Sequence, residues 1–357
     1  MKAFTRVAFW SALFSCGFVN LSSAETSSSS SSGGAKVMNP DTSISVLGLF
    51  RKGVSGNDSA SPLPNGLLFQ EAELQFTADV DPYLRAVALF SIAPVESAVA
   101  HDHGFAFEPE EVYFETLSLP SVTFKVGKFK AAMGRHNLFH THAFPFIDAP
   151  LISQAILSEE GLNDMGVSAA VLVPSPWYTE FTLQALAGRA QGLFASPNPN
   201  AFAGVAQLKN LWDLNDSTTV EWNLFGTVGL NQNDTKTSVL GTDMTFKWRP
   251  SVGGKYTSAL WTTEYLSTEK LSGLSSWLQY QFGERWWAQV RADFLGLTHE
   301  VGVEPTYKQS ALLGFFPSEF SGFRLQYDHI AHEGDPADHR MSLQWNLAIG
   351  AHPAHGY

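Results

Sequence analysis

Polar and apolar residues alternate along most of this chain. In FQEAELQFTAD (69–79), Ala72, Leu74 and Phe76 share one face while Glu71, Glu73 and Gln75 share the other. The same period sets Val220, Trp222, Leu224 and Val228 against Glu221, Asn223 and Thr227, and Met244, Phe246 and Trp248 against Asp243 and Lys247. Ala288, Val290 and Phe294 oppose Gln289, Arg291 and Asp293; Phe323, Leu325 and Tyr327 oppose Arg324, Gln326 and Asp328. Near the end, Met341, Leu343, Trp345, Leu347 and Ile349 form one fully apolar face. A period of two is the signature of β-strands with unlike faces, and helical spacing is nearly absent.

These segments run about nine to twelve residues, whereas strands of soluble domains average about five or six. Their polar faces carry charges in strand after strand. A sheet packed in a water-soluble core has no use for that pattern, but a barrel with an apolar outside and a wet inside does. The chain is therefore predicted to be all-β: a single transmembrane antiparallel β-barrel of about sixteen strands, spanning 43–350, with a long third extracellular loop. The connections support it by alternating in length. Short turns are expected at 79–82, 118–121, 174–177, 213–216, 283–285 and 317–322, and longer outer loops at 51–67, 95–107, 190–200, 299–306 and 333–338. Only 231–234 is short for its side. Trp177, Tyr178, Trp212, Trp248, Trp286, Trp287, Phe316 and Phe320 lie beside the short turns, which predicts an aromatic girdle at one membrane interface.

Composition narrows the setting. Charged residues make up 16% and aromatics 13%, and the net charge of -12 argues against a nucleic-acid partner. Mean hydropathy is -0.05, and beyond the leader no apolar run approaches the roughly 20 residues of a spanning helix. Lys2 and Arg6, an apolar stretch and SSA before Glu25 read as a signal peptide over 1–24. The single cysteine, Cys16, falls inside it, so the mature chain is expected to lack disulfides. A Ser/Gly-rich spacer (25–42) and a histidine-bearing tail (351–357) flank the barrel. The expected location is the outer membrane of a Gram-negative bacterium, among its lipids. The terminal Tyr357 suits the signal read by the barrel-assembly machinery.

The longest connection, 134–166, follows the fifth strand and the segment LPSVTFKVGKFKAAMG. In strand number, leader, terminal aromatic and oversized third loop the chain resembles the bacterial outer-membrane porin superfamily, and in that segment its phosphate-selective group. The resemblance implies passive diffusion of small hydrophilic solutes or ions, without a cofactor, through a channel that is usually a homotrimer and is narrowed by its third loop. One feature departs from the group. In place of an arginine ladder and a lysine ring, the predicted lumen carries Glu71, Glu73, Glu221, Asp243, Glu264, Asp293 and Asp328 against Arg85, Lys125, Lys247, Arg291 and Arg324. Phosphate selectivity is therefore not carried over. Lys125, Lys128, Lys130 and Arg135 are candidates for a basic patch at the constriction. The alternation breaks near Gly127, where a bulge is expected.

Histidines suggest a second reading. His136, His140 and His142 fall within seven residues of the long loop, with His101 and His103 in the loop before and His352 and His355 in the tail. Neutral imidazole is a common ligand of zinc and copper, so a barrel for metal-linked binding or uptake through the three loop histidines stands as the alternative. A rim hydrolase built on Asp102 or Asp328 is a third. No catalytic motif supports it, and adjacent strand residues such as Asp328 and His329 point to opposite faces.

Overall fold

The computed structural model describes residues 40–55, 65–95, 104–190, 192–300, 304–334 and 336–350. The leader, most of the spacer, the tail and the His101–Asp102–His103 triplet lie outside them. Sixteen antiparallel strands close into one barrel, each paired with its sequence neighbours and the first with the last. They are β1 (Asp41–Ser55), β2 (Gly66–Asp79), β3 (Leu84–Pro94), β4 (Phe105–Thr116), β5 (Val122–Lys130), β6 (Asn163–Leu172), β7 (Tyr178–Leu186) and β8 (Ala203–Asn215). The second half comprises β9 (Thr218–Leu230), β10 (Lys236–Trp248), β11 (Ser258–Ser267), β12 (Leu271–Gln281), β13 (Trp286–His299), β14 (Thr306–Ser318), β15 (Ser321–His332) and β16 (Asp338–Gly350). One short helix, α1 (Leu151–Leu157), lies in the long loop between β5 and β6. Closure leaves no strand edge, which is what allows a sheet to stand in hydrocarbon.

The alternation read from sequence is the alternation of the wall. Phe124, Val126, Met165, Val167, Leu183, Val290, Leu325 and Leu343 stand exposed on the outside. A continuous apolar surface of this extent is a lipid-facing surface. On the inside, Glu71, Glu221, Asp243, Glu264, Arg291, Asp293, Gln326 and Gln344 are all buried. Burial of so many polar groups requires polar partners, and these come from the long loop and from neighbouring strands.

Three details differ from the sequence expectations. The turn between β10 and β11 (249–257) is longer than the opposite connections 231–235 and 268–270, so loop length does not mark the two sides in that part of the barrel. Of the expected girdle, Trp177 stacks near Trp212, with ring centroids 6.0 Å apart, and Trp286 packs on Phe315 at 4.7 Å. Tyr178, Trp287 and Phe316 instead fall on the inner face. Trp287 has the parity of Gln289 and Arg291, Tyr178 donates to Glu180, and Phe316 covers Gly314 and Gly322. Lying beside a turn does not decide which face a residue takes; parity does.

The expected bulge near Gly127 is displaced to the neighbouring strand. Gly127 has φ of +140°, and a Cβ there would lie 2.2 Å from the Val112 carbonyl, so only glycine fits; yet β5 pairs with β4 and β6 without a register shift. The slip lies between β3 and β4, where Leu89 faces Glu111 and Phe90 faces Pro109, leaving Glu110 as the extra residue. A second slip, between β1 and β2, leaves Gln70 as the extra residue beside Glu71. A bulge re-aims side chains, and these two define the site described next.

Candidate functional site

The loop between β5 and β6 (131–162) runs across the inside of the barrel. Its sequence dictates this: Ala131, Met133, Phe146, Ile152, Ile156, Leu157 and Leu162 are too apolar for an exposed outer loop, and all are buried. α1 presents Ile152 and Ile156 to inner-face Leu266 and to the loop residues Leu193 and Phe194. A slot at Gly273 receives it: a Cβ there would sit 2.8 Å from Ile152 Cδ1. Farther along, Phe146 and Ile147 pack with Leu49, Trp277 and Leu312. The loop therefore touches β1 on one side and β12 and β14 on the other.

Polar contacts fasten the same loop to the wall. Asn137 ties its two ends together, donating to the Ala131 carbonyl at 2.8 Å and accepting from the Leu162 amide at 2.7 Å. The amides of Arg135 and His136 donate to Asp243 and Glu264, each at 3.1 Å, and the Arg135 guanidinium lies 3.7 Å from Glu221. Asp148 receives Arg291 at 2.9 Å, Gln326 at 3.0 Å, and Lys308. Burial pushes the Asp148 carboxyl up, but Lys308 and Arg291 hold it well below the ordinary carboxylate range. Arg324 donates to the Phe144 carbonyl, and Gln326 accepts from the Ile147 amide at 2.8 Å.

The predicted lumen residues Glu71, Glu73, Glu221, Asp243, Arg291, Asp293, Arg324 and Asp328 thus face inward, and most of them meet the loop or each other. Arg291 lies 3.0 Å from Asp293, and Lys308 3.6 Å from Asp328. Lys209 and Lys247 lie 3.4 and 3.9 Å from Glu221. The four basic candidates do not assemble into a patch. Lys125 lies on the inner face over the Tyr113 ring at 4.1 Å. Lys128, paired with outward-facing Val112 and Met165, has the outer parity and donates to the Pro109 carbonyl at 2.7 Å. Lys130 is spent on the Glu160 carbonyl at 2.8 Å, and Arg135 sits among Glu221, Asp243 and Phe139. A three-residue stretch of alternating strand cannot turn Lys125 and Lys128 to the same side.

The histidines separate into two groups. His136 is enclosed by Phe144, Phe139 and Trp277, with its ring 4.6 Å from that of Phe144. Burial, with Arg291 and Lys130 nearby, pushes it down to about 3, so it stays neutral. His140 and His142 lie together, rings parallel at 6.2 Å, against a wall of glutamates. His140 Nδ1 is 2.7 Å from Glu110 and its Nε2 is 3.0 Å from Glu111. His142 Nδ1 is 2.6 Å from Glu73. Burial lowers His140, but the bonds to Glu110 and Glu111 outweigh it and raise the ring to about 9. One imidazole meets two successive carboxylates only because of the bulge: Glu110 and Glu111 would otherwise point to opposite sides of β4. Donation by Asn163 to the Glu110 carbonyl at 2.7 Å satisfies the backbone the bulge exposes. Sequence reasoning overlooked Glu110, Glu111, Asp148 and Lys308. The run EPEEV (108–112) was the visible signal, since two adjacent acids break strict alternation.

No protein-family signature matches the chain. An uncharacterized protein of Aquifex aeolicus (strain VF5) is 27% identical over 346 residues, covering 82% of this chain and 70% of its own length. Among solved structures, the high-pH structure of Pseudomonas putida OprB matches 87% of this chain and 94% of its own length, with a TM-score of 0.61 and 9% identity. The outer membrane channel DcaP of Acinetobacter baumannii covers 87% and 97%, with a TM-score of 0.57 and 11% identity. An anion-selective porin from Comamonas acidovorans covers 87% and 97%, at 0.53 and 9%. At such identities the likeness is one of fold: this chain has the sixteen-stranded barrel architecture of outer-membrane porins.

Proposed function

We propose that this protein is an outer-membrane channel for passive diffusion of small hydrophilic solutes or ions, and that the loop 131–162 governs passage. The observation that carries the reading is an apolar exterior closed around a polar interior that one inserted loop crosses. Two structures of the same architecture are named as a channel and as an anion-selective porin. Charge inside this barrel favours cations instead, because Glu71, Glu73, Glu110 and Glu111 gather on one stretch of wall against His140, His142, Lys130 and Lys125. On this reading the chain is exported with loss of residues 1–24, inserted among outer-membrane lipids by the barrel-assembly machinery, and requires no cofactor to conduct. A homotrimer is the expected assembly; an outer membrane protein of Vibrio cholerae with this fold is known in a trimer form.

The test is planar-bilayer recording of the refolded mature chain under a salt gradient. Stable conductance steps with a cation-selective reversal potential are expected. Silence from a correctly folded barrel, in the wild type and after removal of residues 146–157 alike, would overturn the channel reading. The rim-hydrolase alternative loses its footing at Asp328, which is buried on the inner wall and accepts from Ser310 at 2.5 Å, while His329 takes the opposite parity.

A further inference from the structure

Two carboxylate-bearing strands and the loop converge on one point inside the wall. Oxygens of Glu73 and Glu110 and a ring nitrogen of His140 all lie within 4.8 Å of one another. Glu73 comes from β2, Glu110 from the bulge of β4, and His140 from the turn before Thr141–Ala143 of the loop, so three separately positioned elements supply the three groups. Glu71, on the same face of β2 as Glu73 by simple alternation, adds a fourth donor against Glu110.

What separates this from a patch of acidic residues is the layer around it. His140 turns one nitrogen, Nδ1, into the cluster, and its other nitrogen, Nε2, is fixed by Glu111 at 3.0 Å. That is the carboxylate–histidine arrangement which sets the tautomer and orientation of a metal-bound imidazole. Glu73 is oriented in turn by His142, through Nδ1 at 2.6 Å and the backbone amide at 3.4 Å. No ammonium is bonded to these carboxylates among the described residues: Lys130 lies close to Glu110 but donates its Nζ to the Glu160 carbonyl, and Arg291 and Lys308 are committed to Asp148. His136, the third histidine of the sequence pattern, is walled off by aromatic rings and takes no part.

We infer that Glu73, Glu110 and His140, with Glu71 as a further oxygen donor, form a binding site for a divalent transition-metal ion, with Glu111 and His142 as positioning residues. One imidazole and two or three carboxylates suit zinc, and also manganese or ferrous iron. Bringing the donors from their present separation onto one ion, at about 2.1 Å from each, requires side-chain adjustment and displacement of the proton on His140 Nδ1 into solvent. Glu108, Glu159 and Glu160, exposed near the start of β4 and the end of the loop, add acidic surface near Glu110. Because His140 and the wall glutamates lie on different elements, the ion would cross-link the loop to β2 and β4. The inference stands on ligand geometry and does not depend on whether the barrel conducts.

The experiment is equilibrium binding of zinc chloride to the refolded mature protein, with cobalt substitution read by its visible absorption. Expected results are one tight site per chain, loss of that site in His140→Ala and in Glu110→Gln, and weakening by about ten-fold or more in Glu111→Gln, where no ligand is removed. His136→Ala and the double variant His352→Ala/His355→Ala are expected to bind like the wild type. Folding of each variant is verified by the barrel's retained compact migration on unheated gels. Absence of saturable binding to the folded wild type would overturn the inference. So would wild-type affinity in His140→Ala, or loss of binding in the tail variant with full retention in Glu110→Gln.

Discussion

Asp148 shows how one residue fastens the loop. It stands between Arg291 and Lys308, both nearly inaccessible, while about 30% of its own side-chain surface remains open. Removing one partner of a buried ionic group leaves charge uncompensated, a loss of about 3–5 kcal/mol. Partial access to water puts Asp148→Asn near the lower end, about 3 kcal/mol. The expected outcome is a loop released from β13 and β14, seen as faster proteolysis within 140–160 in an otherwise folded barrel. The pH dependence follows from the sign of its shift. A carboxyl held below its ordinary value stabilises docking above that value and loses the contribution only as pH falls through the depressed one. Between about pH 7 and pH 5 the contribution of Asp148 should therefore stay constant, and a loss of protection in Asp148→Asn that shrinks from about pH 7 to pH 5 would contradict the assignment.

At the scale of elements, α1 and the segment around Phe146 replace the water that would otherwise fill the barrel. Large-to-small changes in such packing cost about 2–5 kcal/mol each. Ile152→Ala and Phe146→Ala are both expected to loosen the loop without opening the wall, because neither side chain belongs to a strand. Gly273→Val acts from the other partner: its Cβ would lie 2.5 Å from the Phe294 carbonyl as well as against Ile152, so it displaces α1 and strains β12 together. Thermal unfolding checks this, with Gly273→Val lowering barrel stability and Ile152→Ala leaving it nearly unchanged. The strands themselves were legible in the sequence because each has unlike faces, and the loop stood out by its length and its place after the fifth strand, with its inward course implied only by the porin resemblance. The acidic site was only half legible. Glu71 and Glu73 fall on the correct face by simple alternation, but Glu110 is misplaced by any count that runs through the bulge. A bulge depends on how neighbouring strands slip, which one strand's sequence does not encode. For the same reason the basic patch proposed from Lys125 to Arg135 dissolved once parity and local carbonyl partners were known.

For the whole molecule the decisive quantity is how much of the lumen the loop leaves open. Inner-wall groups such as Thr245, Thr262, Ser275 and Gln344 have no accessible surface, so at the height of the loop the barrel is packed rather than filled with water. The sixteen-stranded wall is wide enough for an aqueous channel, so on the channel reading proposed above conduction is limited by the plug and not by the barrel. Deleting 146–157 and joining the ends with a short Gly/Ser linker removes α1, Phe146 and Asp148 but keeps His140, Glu73 and Glu110. Conductance in a planar bilayer should rise several-fold over the wild type, because a pore's current follows its narrowest section. Cation preference should weaken but persist, since Glu71, Glu73, Glu110 and Glu111 belong to the wall and remain in place. The two readouts separate two roles: conductance reports the bulk of the loop, and reversal potential reports the charge of the wall. An unchanged conductance would mean that the loop does not obstruct the path. Reversal to anion preference would mean that ions do not pass the glutamate wall.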